Sequence, residues 1–391
     1  MSEVISIKKL LEGVEVEWKP LGEVALIKTG QAVSKQAISA NLGQYPVINS
    51  GREPLGFINK WNTDNDPIGI TTRGAGVGSI TWQEGKYFRG NLNYSVTIKD
   101  SANLEVRYLY HLLHQMQSAI QSLCTFDGIP ALNSGNLKGL LIPIPPLHVQ
   151  REIVRILDNF TELTAELTAE LSARKKQYSY YRDRLLTFEE GEVEWKSLGE
   201  VGEVRMCKRI LKKQTLPEGE VPFYKIGTFG KEPDAYITRK LFEEYKAKYN
   251  YPKIGEILIS ASGTIGRTVI FDGKDSYFQD SNIVWIENDE KLVLNKYLFY
   301  CYQIANWGIS EGGTIQRLYN ENLRKLKIPV PYPNNPDISL AEQERIVAIL
   351  DKFDTLTHSI SEGLPREIEL RQKQYEYYRD MLLNFPKGEP S

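Results

Sequence analysis

Cysteine is scarce in this 391-residue sequence: Cys124, Cys207 and Cys301 are an odd three, lie far apart and form no Cys-x-x-Cys pair. That excludes a disulfide framework and a zinc ribbon, and it reads most simply as free thiols in a reducing compartment. Histidine is nearly as rare. Of His111, His114, His148 and His358 only the first two are close, no third ligand stands at metal-binding spacing, and a partly exposed helix face is the expected setting for that pair. No run reaches the ~18 apolar residues of a membrane span, and the N-terminal MSEVISIKKLLEG lacks a signal peptide's apolar block, so a cytoplasmic location is expected. Nor is there an excess of one charge. Lys+Arg 48 against Asp+Glu 50 excludes a histone-like polycation, and 41% hydrophobic residues exclude a disordered tail. The length points to two or three domains, each burying its own core.

A repeat fills the chain. Val16 to Val24 (VEWKPLGEV) returns as Val193 to Val201 (VEWKSLGEV), Gln150 to Thr164 (QREIVRILDNFTELT) as Gln343 to Thr357 (QERIVAILDKFDTLT), and Arg174 to Phe188 (RKKQYSYYRDRLLTF) as Arg371 to Phe385 (RQKQYEYYRDMLLNF). Lys9-Leu10-Leu11 precedes the first VEW as Arg184-Leu185-Leu186 precedes the second, so the chain reads as a two-unit ring cut at one of two equivalent joints. A pseudo-twofold body with neighbouring termini is expected.

Two textures alternate. Residues 16–146 and 193–338 carry Gly, Pro, Asn and short β-prone runs, and each stretch leaves through a proline-rich exit, IPIPP at Ile142 to Pro146 and IPVPYP at Ile328 to Pro333. These are expected to be mixed α/β domains. Past each exit, apolar residues recur at steps of three and four: Ile153, Leu157, Phe160, Leu163, Leu167 and Leu171 in residues 147–192, and Ile346, Leu350, Phe353 and Leu356 in 339–391. The first predicts a helical rod of roughly 60 Å; the second carries Gly363-Leu364-Pro365, where a break is expected. Residues 1–15 read as an N-terminal joint. Neither rod buries its stripe alone, so the expected class is α+β, two mixed domains separated by two long antiparallel coiled-coil helices. The globular stretches are each +2, from 11 − 9 in 16–146 and 21 − 19 in 193–338, whereas the rods are acidic at 7 − 9 = −2 and 7 − 10 = −3. That mild polarity is weak support for nucleic-acid contact at the globular ends.

Catalytic constellations are poor. Arg73 to Ser79 (RGAGVGS) is glycine-rich but lacks the Lys-Ser/Thr of a phosphate loop, and a strand-to-strand turn is the expected reading, as for Ala261 to Arg267. Pro233-Asp234 with Glu244-Tyr245-Lys246 matches a nuclease pattern, yet Arg239 to Tyr249 reads as a charged helix and not the strand such a site needs. No Asn-Pro-Pro-aromatic motif is present. Tyr178, Tyr180, Tyr181, Tyr375, Tyr377 and Tyr378 suit base stacking in principle, but their helical spacing favours packing along the rods.

The VEWxxLGEV entry, the IPxPP exit, the QxxIVxILDxF helix start and the RxKQYxYYRDxLL helix end, each occurring twice and in order, resemble the specificity (S) subunits of type I restriction-modification systems. The likeness spans essentially the whole chain and is nearest to the branch with tandem TAEL repeats, here Thr164 to Leu167 and Thr168 to Leu171. The resemblance implies a non-catalytic subunit whose two target-recognition domains each read one half of a bipartite site in double-stranded DNA. The rods would set the spacing and dock two methyltransferase (M) subunits, and motor-nuclease (R) subunits would complete the complex. It implies no cofactor in this chain, with S-adenosylmethionine, ATP and Mg belonging to the partners. Because polar loop residues read base edges, the candidate DNA contacts are Arg52, Arg73, Arg89, Asn91 and Asn93 in the first domain. In the second they are Lys225, Ser262, Arg267, Gln279, Asn282, Gln316 and Arg317. A coiled-coil adaptor without DNA binding and a metal-dependent nuclease stay open as alternatives.

Overall fold

The computed structural model describes residues 10–51, 53–126, 128–189, 191–307, 317–359 and 361–386. The chain divides into two compact units, one made of Met1–Thr168 with Glu367–Ser391 and the other of Ala169–Arg366. The division passes through the TAEL tract, so each unit holds one globular domain together with segments of the long helices.

Each domain is built on the same plan. In the first unit an antiparallel sheet runs in the order Ala25–Thr29, Asn93–Ile98, Ile68–Thr71, Ile80–Trp82. Its counterpart in the second unit runs Gly202–Arg205, Ile283–Asn288, Ile257–Ser260, Thr268–Ile270. A second sheet pairs Leu42–Ile48 in parallel with Lys86–Arg89, as Val221–Tyr224 pairs with Tyr277–Phe278. The strands Ile68–Thr71 and Ile257–Ser260 are buried at every position, which is why they read as apolar runs without alternation.

The duplicated motifs are the hinges of this plan. The VEW entry strand pairs antiparallel with the proline-rich exit strand, Glu17–Pro20 with Leu141–Ile144 and Val193–Ser197 with Lys327–Pro331. Each ribbon has only two strands, so the prolines forfeit no central ladder bond. Val106–Gln115 and Asn295–Ile304 pack beside these ribbons, and the buried Tyr108 and Tyr297 hydroxyls donate to Pro143 O and Pro329 O, both at 3.0 Å. His111, expected on a partly exposed face, is instead 1% exposed. It lies one turn from Tyr108 and next to Leu112, on the face that this helix buries.

The helix Leu147–Leu185 runs unbroken for 39 residues, roughly 60 Å at 1.5 Å per residue. In the first unit its Val149, Ile153 and Leu157 share a core with Tyr378, Leu382 and Phe385, and Phe160 stacks on Tyr378 at 5.1 Å. In the second unit Tyr178 and Leu186 share a core with Ile346 and Leu350, and Tyr181 stacks on Phe353 at 5.5 Å. These tyrosines pack; Tyr180 and Tyr377, at equivalent places, are exposed. The C-terminal stretch forms two helices, Pro336–His358 and Gly363–Leu383. Gly363 has φ +75°, and a Cβ there would stand 2.4 Å from Thr355 O, so only glycine fits the turn. Pro365 falls in the first turn of the following helix, where its missing N–H costs no hydrogen bond.

Candidate nucleic-acid interface

The parallel strand pair of each domain sends two strand ends out on one side, and the turn after the central antiparallel strand joins them. In the first domain these ends are laced together by main-chain bonds: Gly90 N–H to Ile48 O (2.7 Å), Thr72 N–H to Leu92 O (2.9 Å), Leu132 N–H to Thr72 O (2.8 Å) and Gly74 N–H to Pro130 O (2.9 Å). The second domain repeats the lacing with Gln279 N–H to Tyr224 O (2.9 Å), Ala261 N–H to Asn282 O (2.7 Å) and Leu318 N–H to Ala261 O (2.7 Å). The glycine-rich stretches 73–79 and 261–267 are the turns between two antiparallel strands in each domain. Each fold therefore presents a row of loops held on a rigid base.

The row gathers most of the candidate residues of the second domain. The Ser262 hydroxyl donates to Asn282 Oδ1 at 3.0 Å, Ile226 N–H donates to Gln279 Oε1 at 2.9 Å, and Ser262 bridges Arg317 across the row. The exposed Arg317 guanidinium donates to Ser281 Oγ at 2.9 Å, and Lys225 pairs with Asp234 at 2.8 Å. Arg267 turns back on the domain, donating to Phe229 O at 3.0 Å. Ser262 is itself buried, so it shapes the loop and presents little surface. Gln316 lies outside the described residues, as does Arg52 in the first domain.

In the first domain Arg73 and Asn91 are exposed on the row. Arg89 and Asn93, expected at the reading surface, are instead core residues, 3% and 0% exposed. The Arg89 guanidinium donates to Asn93 Oδ1 (2.6 Å), Asp66 O (2.6 Å), Tyr94 O (3.0 Å) and the Tyr87 hydroxyl, with the Asp66 carboxylate at 3.7 Å. Burial lowers the Arg89 pKa from its ordinary value, against the pull of Tyr87 and Asp66. A buried cation tied into this network holds the loops in place and has no face to offer a base.

The sequence reading passed over Lys208, Arg209, Lys212 and Lys213, all exposed on the segment after Gly202–Arg205. Arg209 pairs with Asp280 at 2.8 Å, which pins this basic segment to the 279–282 loop of the row. The signal was present as four cations in six residues, a phosphate-binding composition. The nuclease pattern does not assemble a site of that kind. Glu244 and Lys246 lie on the helix Arg239–Lys248, Glu244 pairs with Lys248 and Asp234 with Lys225. Among the described residues no cluster of His, Cys, Asp and Glu is placed to hold a metal ion, and no helix is long and apolar enough to cross a membrane.

Away from the rows the two units carry the same features. Gln150 and Gln343 are fully buried at the start of the long helices, each accepting one main-chain N–H (Glu105 and Leu294, both 2.9 Å) and donating to a carbonyl of its own domain. Asp158 holds Arg107 and His111, both at 2.8 Å, where Asp351 holds Lys296 at 2.9 Å and the Tyr300 hydroxyl. Burial outweighs the Asp158 carboxylate and pushes the His111 pKa down to about 4, so the imidazole is neutral near pH 7. Each unit also has an open groove beside its ribbon, about 900 Å³ in the first and 660 Å³ in the second. Equivalent residues line both: Trp18 and Trp195, Asn136 and Asn322, Pro143 and Pro329.

The family described as type I restriction modification DNA specificity domain matches residues 13–174 and again 190–370. A Haemophilus influenzae protein named as a type I restriction enzyme specificity subunit is 53% identical over 393 residues, covering 97% of this chain and 98% of its own. The Escherichia coli EcoR124I/EcoR124II specificity subunit is 36% identical over 425 residues, covering 100% of this chain and 99% of its own. In fold, the chain is similar to the crystal structure of the S subunit of a type I restriction-modification system from M. genitalium, with TM-score 0.64 at 18% identity over 96% of this chain and 98% of that one. With two copies of the family's domain filling its length, the chain belongs to the specificity subunits of type I restriction-modification systems.

Proposed function

We propose that this chain reads a bipartite site in double-stranded DNA, one half through each loop row, and performs no chemistry itself. The carrying observation is the contrast within the repeat: three main-chain bonds that lace the rows recur in both domains, but the residues displayed differ, Arg73 and Asn91 on one and Lys225, Arg317 and the 208–213 lysines on the other. Identical scaffolds with different polar displays suit two different half-sites. Features that are duplicated suit two copies of one partner. The grooves at Trp18 and Trp195, with the exposed Tyr180 and Tyr377, are the surfaces proposed to dock two methyltransferase subunits. Motor-nuclease subunits complete the assembly in the cytoplasm. S-adenosylmethionine, ATP and magnesium act in those partners.

The test is a domain exchange. Replacing residues 25–140 by the matching region of a related subunit, then mapping methylated motifs in cells that also express the methyltransferase, should change one half of the motif. A change in both halves or in neither overturns the modular reading. Methyl transfer from S-adenosylmethionine by the purified chain alone would overturn the non-catalytic one.

A further inference from the structure

Among the described residues, an exposed apolar pair stands beside the row of the first domain. Phe126 is 64% exposed and Ile129 61%, on the five-residue connection between Cys124–Thr125 and Ala131–Leu132. Asp127, between them in the sequence, lies outside the described residues. The base of this hairpin is fixed. Cys124 pairs with Leu132 and Thr125 with Ala131, the Cys124 and Leu132 side chains are buried in the domain core, and Leu132 and Pro130 bond to the main chain of Thr72 and Gly74. Arg73 bridges Ala131, so an exposed cation stands at the root of the tip. Gly128 has φ +87°, a left-handed conformation that glycine adopts without strain in a tight turn.

A large aromatic and a β-branched side chain held in water on an anchored two-stranded ribbon gain nothing for the fold, since their apolar surface stays unburied. A two-stranded ribbon is of a size to enter the major groove, where the only apolar group on a base edge is the C5 methyl of thymine. The tip is continuous with the row through Thr72, Gly74 and Ala131, and the exposed cation of Arg73 stands beside it. We propose that Phe126 and Ile129 form an apolar base reader, contacting a thymine methyl in the half-site of the first domain. This rests on the reading of that domain as a half-site reader.

The experiment uses the chain assembled with its methyltransferase subunits and a duplex carrying the methylated motif. Each thymine of the first half-site is replaced in turn by deoxyuridine, which removes only the methyl group. One replacement should weaken binding by the wild-type complex about fourfold, the worth of one buried methyl. The double variant Phe126→Ser, Ile129→Ser should bind the thymine duplex more weakly and no longer distinguish it from that uracil duplex, while assembling with its partners as before. Indifference of the wild type to every uracil, or discrimination retained by the variant, overturns the proposal, and so does lost assembly, which would make the tip a protein contact. Arg73→Ala separates this from failure of the parent reading. If Arg73→Ala weakens binding and the tip variant does not, the tip proposal alone falls; if neither matters, the first domain does not touch DNA.

Discussion

Replacing Lys208, Lys212 and Lys213 together by glutamine removes three exposed charges from a segment that Arg209 fastens to Asp280 of the second domain's row. Lys208 stands 5.2 Å from the Tyr249 ring centre and is otherwise open to solvent, so the substitutions leave the domain core intact. If each lysine meets one phosphate, each contributes about 0.9 to the slope of log affinity against log salt, and the variant should lose about 2.7. Over the fourfold change from 50 to 200 mM salt that is a factor of roughly 40 in affinity that the wild type forfeits and the variant does not. Fluorescence anisotropy of the assembled complex on a duplex carrying its motif, at three salt concentrations, measures both slopes. Phosphate contacts position without specifying, so the methylated motif should stay the same while affinity at low salt falls. An unchanged slope would show that these lysines face away from the duplex, and an altered motif would make them base readers.

A third Thr-Ala-Glu-Leu inserted after Leu171 extends the helix Leu147–Leu185 by ~6 Å and turns it by only ~40°; mapped motifs should keep both halves and gain about one to two base pairs of spacer at ~3.4 Å each, and an unchanged spacer with full activity refutes the ruler. Gln343→Ala removes the fully buried amide that bonds the Leu294 N–H and the Leu292 carbonyl and should cost roughly 1–3 kcal/mol, read as a lower urea midpoint. A midpoint unmoved by the change would mean that water reaches both groups. His111, held neutral with a pKa of about 4 against ~6.5 when unfolded, binds fewer protons in the folded chain. Its contribution is therefore complete above pH ~6.5 and declines toward pH ~4, by up to about 3 kcal/mol. His111→Tyr, which copies Tyr300 of the other unit, should flatten that part of the stability profile, and an equally steep profile in the variant would count against it.

Packing positions were legible in the sequence because they occur twice. The entry and exit strands and the tyrosines that stack between helices sit in motifs that the repeat exposes, and the break before Gly363 shows as a Gly-Leu-Pro without counterpart in the unbroken helix Leu147–Leu185. The display residues were harder to judge for a physical reason. Arg89 and Asn93 look like turn residues beside a strand, but whether an arginine is buried depends on who neutralises it, and Asp66 lies 23 residues away in sequence. His111 was misjudged by weighing it against His114 and not against Tyr108 and Leu112, whose spacing already places it on the buried stripe. Summing charge over a whole domain hid the lysines of 208–213: +2 over 193–338 averages a local run of four cations with the acidic residues around it.

The equivalent helix anchors show how the domains diverge without disturbing what joins them. Asp158 and Asp351 occupy the same place in the repeated QxxIVxILD motif, and each binds one cation and one ring of the domain helix beside it, Arg107 with His111 in one unit and Lys296 with Tyr300 in the other. The chemistry differs in every partner, yet the pattern is kept: a carboxylate on the long helix, a cation toward solvent and a hydrogen-bonding ring inside. Gln150 and Gln343 repeat the point with the same residue on different loops. Such anchors depend on main-chain carbonyls and on one or two side chains of the domain helix, none of them on the loop rows. Substitution along a row therefore leaves the anchor's hydrogen bonds intact, and a row can diverge without refitting the helix that carries the domain.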